Sequence, residues 1–219
     1  MNWTIPNLLS IVRVIAAPCV ALAFSAFDRP AADRIAVAIF ICAALTDYLD
    51  GILARSMGQE TSFGRMLDPV ADKAMVLIAL ATIMSLYDLQ WQVVAPAALI
   101  MLREVLVSGL REYLGAVKLS VTRLAKWKTT AQMFAIGLLF LSGAVLPAES
   151  DGRMLPAVAT ALSYLSMAFG AFGLLLLWVA AWFTLVTGWD YFHKGLAYIR
   201  RSDKARGEDA AGTVAEPEE

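Results

Sequence analysis

Four aspartates lie close together in an otherwise apolar chain, within the stretch DYLDGILARSMGQETSFGRMLDPVADK. They are Asp47, Asp50, Asp68 and Asp72, separated by three, eighteen and four positions. Carboxylates gathered at one place, with no histidine or cysteine nearby, suit hard cations such as Mg²⁺ or Mn²⁺ better than zinc. A pair of such ions can neutralise a diphosphate and stabilise a leaving oxygen, so the pattern indicates phosphoryl chemistry.

Helical spacing combines these aspartates with small residues on two stripes. At about 100° per residue, positions i, i+3, i+4, i+7 and i+8 share one face of a helix. The first stripe consists of Asp47, Asp50, Gly51 and Ala54, and the second of Gly64, Asp68 and Asp72. Small residues let a ligand or another backbone approach closely. Because the connecting loop is short, we expect two antiparallel neighbouring helices with all four carboxylates at one depth.

Four carboxylates this close cannot all stay ionised without strong compensation. A purely structural alternative is open, in which the aspartates form ion pairs that hold the helices together. The basic residues available for such pairs are Arg55, Arg65, Lys73 and Arg103. A site for two divalent ions is favoured, because two stripes with small residues are more than ion pairing requires.

The composition is that of a membrane protein. Of the 219 residues, 59% are hydrophobic and 17% charged, and the mean hydropathy is +0.65. A soluble domain would carry about a quarter charged residues. The formal net charge of -1 gives no sign of the basicity typical of nucleic-acid-binding proteins. A partner that contains a nucleotide must therefore bind at a local site.

Six apolar stretches approach the length of about 20 residues that crosses a bilayer. They cover residues 5–27, 34–54, 66–87, 91–114, 130–146 and 169–192. The residues from 200 onward are polar and lack aromatic side chains, as is typical of disorder. We therefore predict an all-α integral membrane protein, with a six-transmembrane-helix catalytic domain over residues 1–199 and a disordered tail over 200–219.

The distribution of lysine and arginine predicts the orientation. If both termini lie on one side, that side receives twelve basic residues, against Arg29, Arg34 and Arg153 on the other. The positive-inside rule then places both termini and the aspartates at the cytoplasmic face. We expect this membrane to be the bacterial cytoplasmic (inner) membrane. Three basic residues fall within predicted spans and need a partner there, namely Arg13, Lys73 and Arg103.

A second group of basic residues could bind a phosphate. Arg103 and Arg111 lie eight positions apart on the fourth helix, roughly 80° around it, and each precedes a glutamate that could orient it. Lys126 and Lys128 open the fifth helix at the same cytoplasmic level. The alternative for the two lysines is ordinary anchoring at the membrane face. We expect these four residues to bind the phosphate group of a substrate.

The aspartate stretch resembles the signature of the CDP-alcohol phosphatidyltransferase family, D-x2-D-G-x2-A-R-x8-G-x3-D-x3-D. It matches all eight fixed residues over 26 positions. The segments IPNLLSIVRV, LDPVADKAMV, LREVLVSGLREYLG and AKWKTTAQM are similar to the branch of the family that makes phosphatidylglycerol phosphate. The resemblance implies the six-helix membrane bundle of this family and transfer of a phosphatidyl group from CDP-diacylglycerol to sn-glycerol 3-phosphate, with release of CMP.

The resemblance also implies roles for single residues. Asp47, Asp50 and Asp68 would ligate the Mg²⁺ or Mn²⁺ ions, and Asp72 would lie beside them as the base for the acceptor hydroxyl. The residues implied in binding the CDP part of CDP-diacylglycerol are Asn7, Ser10, Gly51, Ala54, Arg55, Thr61 and Gly64. The basic pocket of Arg103, Arg111, Lys126 and Lys128 would hold the glycerol phosphate. Members of the family are commonly homodimers, and we expect no nucleic-acid partner.

Two alternatives to this function stay open. The same chemistry could use another acceptor, such as inositol phosphate, serine or phosphatidylglycerol, because the metal and CDP motif is common to all of them. A carboxylate-lined cation transporter belongs to a different class. Transporters often contain internal repeats and interrupted helices, and no internal repeat is found in this sequence.

Overall fold

Six α-helices form the fold in the residues that the structure describes. The computed structural model describes the backbone of residues 4–57, 61–114, 123–147 and 155–213, and their side chains except at 50–57, 123–126, 201–213 and a few single positions. Within these ranges there is no β-strand. In chain order the helices are α1 (Ile5–Ala26), α2 (Ala31–Met57), α3 (Ser62–Leu86), α4 (Trp91–Leu114), α5 (Arg123–Ala144) and α6 (Pro156–Thr213).

Local capping sets the start of α3, the helix that carries two of the aspartates. Thr61 precedes it in an extended conformation, and its hydroxyl oxygen accepts a hydrogen bond from the backbone N–H of Gly64 at 3.0 Å. Such an N-cap satisfies one of the N–H groups that a helix start leaves without an internal partner. This cap stabilises the first turn of α3, in which the second aspartate stripe begins with Gly64.

An aromatic core fixes three helices relative to one another. Phe140 of α5 is fully buried, and its ring centroid lies 6.0 Å from that of Phe24 on α1 and 6.4 Å from that of Phe40 on α2. α1 also packs along α3, whereas α4 packs against α3 and α6. Large aromatic side chains contribute much of the burial energy in such cores. Their packing sets the rotation of α1 and α2, and hence the direction of the polar residues on these helices.

The outer surface is apolar, as expected for a protein in lipid. On α1, Leu8, Val12, Ile15 and Leu22 recur along one exposed face, whereas a soluble bundle would bury a stripe with this spacing. In the described part of the chain, four helices are long and apolar enough to cross a bilayer, and they comprise Asn7–Ala26, Met66–Leu86, Trp91–Tyr113 and Pro156–Arg200. The protein is an integral membrane protein.

The prediction of six helices is confirmed for the described residues. α2 and α5 are not among the four candidate spans. Both carry polar and charged residues, including Asp47 in the second half of α2 and Lys128 near the beginning of α5. The number of helices that cross the membrane therefore stays a prediction.

The last helix differs from the sequence prediction. α6 begins at Pro156 and continues to Thr213, a length of 58 residues, where the sequence predicts a span over 169–192 and a disordered tail from 200. The backbone of residues 200–213 is helical, and 214–219 lie outside the described residues, so the disorder of the tail stays a prediction. Alanine, arginine, lysine and glutamate in this segment favour helix by their intrinsic propensity. The division into a domain over 1–199 and a tail stays a prediction.

Candidate active site

A polar stripe on α1 faces the two aspartate helices. Asn7, Ser10 and Arg13 follow one another at intervals of three residues, and all three are buried although the rest of α1 is largely apolar. Burying a polar or charged side chain in a membrane helix requires partners. The partners of this stripe lie on α2 and α3.

Arg13 contacts carboxylates of both helices. Its NH1 atom lies 2.5 Å from Asp47 Oδ1 on α2 and 2.6 Å from Asp72 Oδ1 on α3, and its NH2 atom lies 3.6 Å from Asp68 Oδ1. Three of the four motif aspartates therefore converge on one guanidinium. The side chain of Asp50 lies outside the described residues. The predicted convergence of carboxylates from α2 and α3 is confirmed for Asp47, Asp68 and Asp72.

Hydrogen bonds tie the beginning of α1 to the beginning of α3. The Ser10 hydroxyl donates to Asp68 Oδ1, and the Thr61 hydroxyl donates to Asn7 Oδ1 at 2.8 Å. A Cβ atom added to Gly64 would lie only 2.6 Å from Asn7 Oδ1. Glycine is thus required here for the close approach of α1 and α3. Four residues predicted to bind CDP, namely Asn7, Ser10, Thr61 and Gly64, are brought together at this contact.

Two of the aspartates, Asp47 and Asp72, open into a cavity. The Asp47, Asp68 and Asp72 side chains are 52%, 46% and 53% exposed, whereas the Arg13 side chain beneath them is 3% exposed. Arg13, Asp47 and Asp72 line the polar end of a cavity of about 540 Å³. Its other walls come from α2, α3 and α5 and are formed by Ala43, Ala44, Ala71, Met75, Val76, Thr129, Thr130, Met133 and Phe134. A charged group and an apolar chain could lie in this cavity side by side.

The donor set fits a divalent metal. All described ligand candidates are carboxylate oxygens, which Mg²⁺ and Mn²⁺ prefer. Among the described side chains, no group of three histidine, cysteine, aspartate or glutamate residues is arranged to hold an ion as it stands. The Arg13 guanidinium instead lies between the carboxylates of Asp47 and Asp72. The prediction of bound metal is untested by this geometry and stays a prediction.

The predicted CDP-binding residues of α2 are only partly described. The backbone of Gly51, Ala54 and Arg55 is helical and continues the turn that carries Asp47. Their side chains lie outside the described residues. Their predicted contacts with the nucleotide therefore stay predictions.

Two of the four basic residues predicted to bind a phosphate, Arg103 and Lys128, meet at one carboxylate. Lys128 is buried and donates to Glu104 Oε1, and Arg103 NH1 lies 3.3 Å from the same oxygen. One turn after Glu104 on α4, the Ser108 hydroxyl accepts a hydrogen bond from Lys73 of α3. Arg103, Lys128 and Glu104 thus form a group with a net positive charge between α4 and α5. This group does not line the aspartate cavity, although Thr129 and Thr130, which follow Lys128, do.

Arg111 contacts α6. It is exposed, its Nε donates to the Tyr191 hydroxyl of α6 at 3.1 Å, and its guanidinium carbon lies 5.3 Å from the centre of that ring. Arg103 also lines a second cavity of about 220 Å³ between α4 and α6 with Leu106, Gly188 and other residues. The side chain of Lys126 lies outside the described residues. A common pocket of all four basic residues is therefore untested.

Arg13 is a site residue to which the sequence alone gave no role in the site. From the sequence alone it is one of three basic residues in predicted spans that need a partner, and no aspartate is assigned to it. A signal was present in the recurrence of polar residues at positions 7, 10 and 13 of an apolar helix. Periodicity identifies this face, but it does not tell which neighbouring helix the face meets.

Comparison with known proteins agrees with the site. The chain matches the model of the CDP-alcohol phosphatidyltransferase family over residues 3–189. This match covers every residue named for the candidate site except Tyr191. The chain belongs to the CDP-alcohol phosphatidyltransferase family.

Several relatives carry one and the same name, CDP-diacylglycerol--glycerol-3-phosphate 3-phosphatidyltransferase. The protein of Cereibacter sphaeroides is 47% identical over 218 residues, which cover 91% of this chain and 99% of that one. The protein of Rickettsia bellii is 38% identical over 194 residues, covering 88% and 95% of the two chains. That of Haemophilus influenzae is 43% identical over 141 residues, covering 63% and 75%.

Proposed function

We propose that this protein transfers the phosphatidyl group of CDP-diacylglycerol to sn-glycerol 3-phosphate, forming phosphatidylglycerol phosphate and CMP for phospholipid biosynthesis. The family membership supports the reaction class, and the names of the relatives support the acceptor. The convergence of Asp47, Asp68 and Asp72 around Arg13, with Asp47 and Asp72 lining one cavity, is the structural observation that carries the proposal. The apolar walls of this cavity suit a donor that joins a charged diphosphate to acyl chains.

In the proposed reaction the acceptor hydroxyl attacks the phosphorus that bears diacylglycerol. A new P–O bond forms to glycerol 3-phosphate, the P–O bond to the CMP phosphate breaks, and CMP leaves with the bond electrons. Asp72 accepts the hydroxyl proton, for which its half-exposed carboxylate at the cavity is suited. No covalent intermediate with the protein is required.

Asp47, Asp50, Asp68 and Asp72 are the residues that would hold one or two Mg²⁺ or Mn²⁺ ions. When bound, these ions supply neutralisation of the diphosphate and stabilisation of the leaving oxygen. Asn7, Ser10, Thr61 and Gly64, at the contact of α1 with α3, would bind the CDP part. The α2 residues proposed for the same part are Gly51, Ala54 and Arg55.

The acceptor phosphate is assigned to the basic residues of α4 and α5. Arg103 and Lys128 share a single carboxylate, that of Glu104, so one positive charge of this group is left to attract a phosphate. Arg111 and Lys126 would add to this attraction at the cytoplasmic face. The active site and both termini are proposed to face the cytoplasm at the bacterial inner membrane, in a homodimer.

The test is product formation by the purified protein in detergent with CDP-diacylglycerol and Mg²⁺ or Mn²⁺. CMP release and the lipid product are measured with glycerol 3-phosphate, inositol phosphate, serine or phosphatidylglycerol as the acceptor. We expect product only when glycerol 3-phosphate is the acceptor, and no product after addition of EDTA. Product with a different acceptor would keep the reaction class and overturn the acceptor. Absence of product with every acceptor, beside an active relative assayed in parallel, would overturn the proposed activity.

A further inference from the structure

One nitrogen of Arg13 bridges two helices in the way that a bound cation would. NH1 lies 2.5 Å from Asp47 Oδ1 on α2 and 2.6 Å from Asp72 Oδ1 on α3, and both contacts come from the same atom. NH2 adds a longer contact of 3.6 Å to Asp68 Oδ1. A divalent ion is likewise contacted by carboxylate oxygens that come from several residues.

Because Arg13 is buried, both the guanidinium and the aspartates depend on this contact to compensate their charges. Its side chain is 3% exposed, and a buried guanidinium without anionic partners is strongly unfavourable. The aspartates in turn would repel one another at this separation without a cation among them. Arg13 therefore satisfies in the metal-free protein the same electrostatic demand that a metal would satisfy.

We propose that Arg13 is a built-in counter-ion that competes with divalent metal for the carboxylates of Asp47 and Asp72. Arg13 keeps the ends of α2 and α3 together when no metal is bound, and it gives up its contacts with the two Oδ1 atoms when a metal takes them. The affinity for metal is thereby weaker than the carboxylates alone would provide. This inference rests on the proposed metal site, and Arg13 acts in it as a positioning residue.

The experiment compares Mn²⁺ binding by the wild-type protein and by Arg13→Gln in detergent, in the absence of substrates. The concentration of free Mn²⁺ is followed by electron paramagnetic resonance, and thermal unfolding is recorded with and without Mn²⁺. We expect the Kd of Mn²⁺ to fall by about tenfold or more in Arg13→Gln, because a nearby positive charge has been removed. The melting temperature without metal should be lower than in the wild type, and its rise on addition of Mn²⁺ should be larger.

Arg34→Gln is the matched control. Arg34 is the arginine at the other end of α2, where its Nε donates to the carbonyl oxygen of Ala144 at 2.9 Å. The same change of residue there removes a positive charge and a hydrogen bond far from the aspartates. We expect a small loss of stability, with the Kd of Mn²⁺ and the Mn²⁺-induced rise of the melting temperature unchanged.

The outcomes separate this inference from the proposed metal site. If the wild-type protein binds Mn²⁺ and Arg13→Gln binds it equally or more weakly, Arg13 is not a competitor and the inference is overturned. If neither protein binds Mn²⁺, the proposed metal site fails and the inference fails with it. Should Arg13→Gln not fold, Arg13→Lys decides, because its single ammonium group cannot reproduce the planar fork of the guanidinium. A lower Kd in Arg13→Lys than in the wild type supports competition, and an equal or higher Kd contradicts it.

Discussion

Gly143 of α5 lies directly against the buried carboxylate of Asp33 on α2. A Cβ atom at Gly143 would be 2.1 Å from Asp33 Oδ1 and 2.3 Å from NH2 of Arg29, which pairs with the same carboxylate. Asp33 is fully buried, and Arg29 binds both of its oxygens, at 2.7 and 3.0 Å. This contact packs α5 against the beginning of α2, whereas the motif aspartates of α2 lie toward the other end of that helix.

Gly143→Ala should therefore destabilise the protein by about 1–3 kcal/mol, because the ion pair has to move away from the new methyl group. Thermal unfolding in detergent measures the effect. Gly109→Ala and Gly137→Ala are the controls, since a Cβ at either glycine would have no neighbour within 4 Å. These two variants should be as stable as the wild type or more so, because alanine favours helix over glycine. Equal stability of all three variants would contradict the close contact.

Gly64→Ala should weaken the binding of the nucleotide donor. A methyl group at Gly64 would meet Asn7 Oδ1 at 2.6 Å and would disturb the hydrogen bond from Thr61 to Asn7. We expect the KM for CDP-diacylglycerol to rise by about tenfold or more, which corresponds to the loss of one good polar contact. Steady-state kinetics at saturating glycerol 3-phosphate provide the measurement. Gly109→Ala should leave this KM unchanged, and a normal KM in Gly64→Ala would remove this contact from the donor site.

Asp72→Asn tests the assignment of the base. The variant keeps the size of the side chain and loses its ability to accept a proton, so turnover should fall by about 10²–10⁴-fold. Mn²⁺ binding, measured on the same preparation, should be retained through the other aspartates. If turnover and Mn²⁺ binding are lost in parallel, the loss of metal accounts for the loss of turnover, and the variant gives no support to Asp72 as the base.

Lys128→Gln should affect the acceptor and leave the donor unchanged. Lys128 is buried beside Glu104, and removal of its charge leaves that carboxylate paired with Arg103 at 3.3 Å. We expect the KM for glycerol 3-phosphate to rise by at least about tenfold, as for the loss of a hydrogen bond to a charged group. The KM for CDP-diacylglycerol should stay within about twofold.

Arg111→Gln is the informative comparison for Lys128→Gln. Arg111 is exposed and stacked on Tyr191, so its contribution is weakened by solvent. We expect a smaller increase in the KM for glycerol 3-phosphate than in Lys128→Gln. An unchanged KM in Arg111→Gln would remove Arg111 from the acceptor site, and an unchanged KM in Lys128→Gln would contradict the assignment of the acceptor phosphate to this group.

Much of the site could be predicted because its information is local. Asp47 marks one helical face, and the spacing of Asp68 with Asp72 defines a second one. Because the loop between them is short, the helices that carry these faces must be neighbours. Helix content likewise follows from long apolar stretches. The helical end of α6 was not predicted, because a polar segment without apolar periodicity is typical of a disordered tail and also of a polar helix.

The sequence by itself determined the family signature, the apolar helices and the convergence of the aspartates, since each of these depends on spacing along one or two adjacent segments. Only the tertiary structure decided that Arg13 is a cation among the aspartates and that Arg111 contacts Tyr191 of α6. These relationships join helices that are distant in sequence. They depend on how α1 and α6 rotate when their side chains pack, and the periodicity of a single helix contains no information about the neighbour that its polar face will meet.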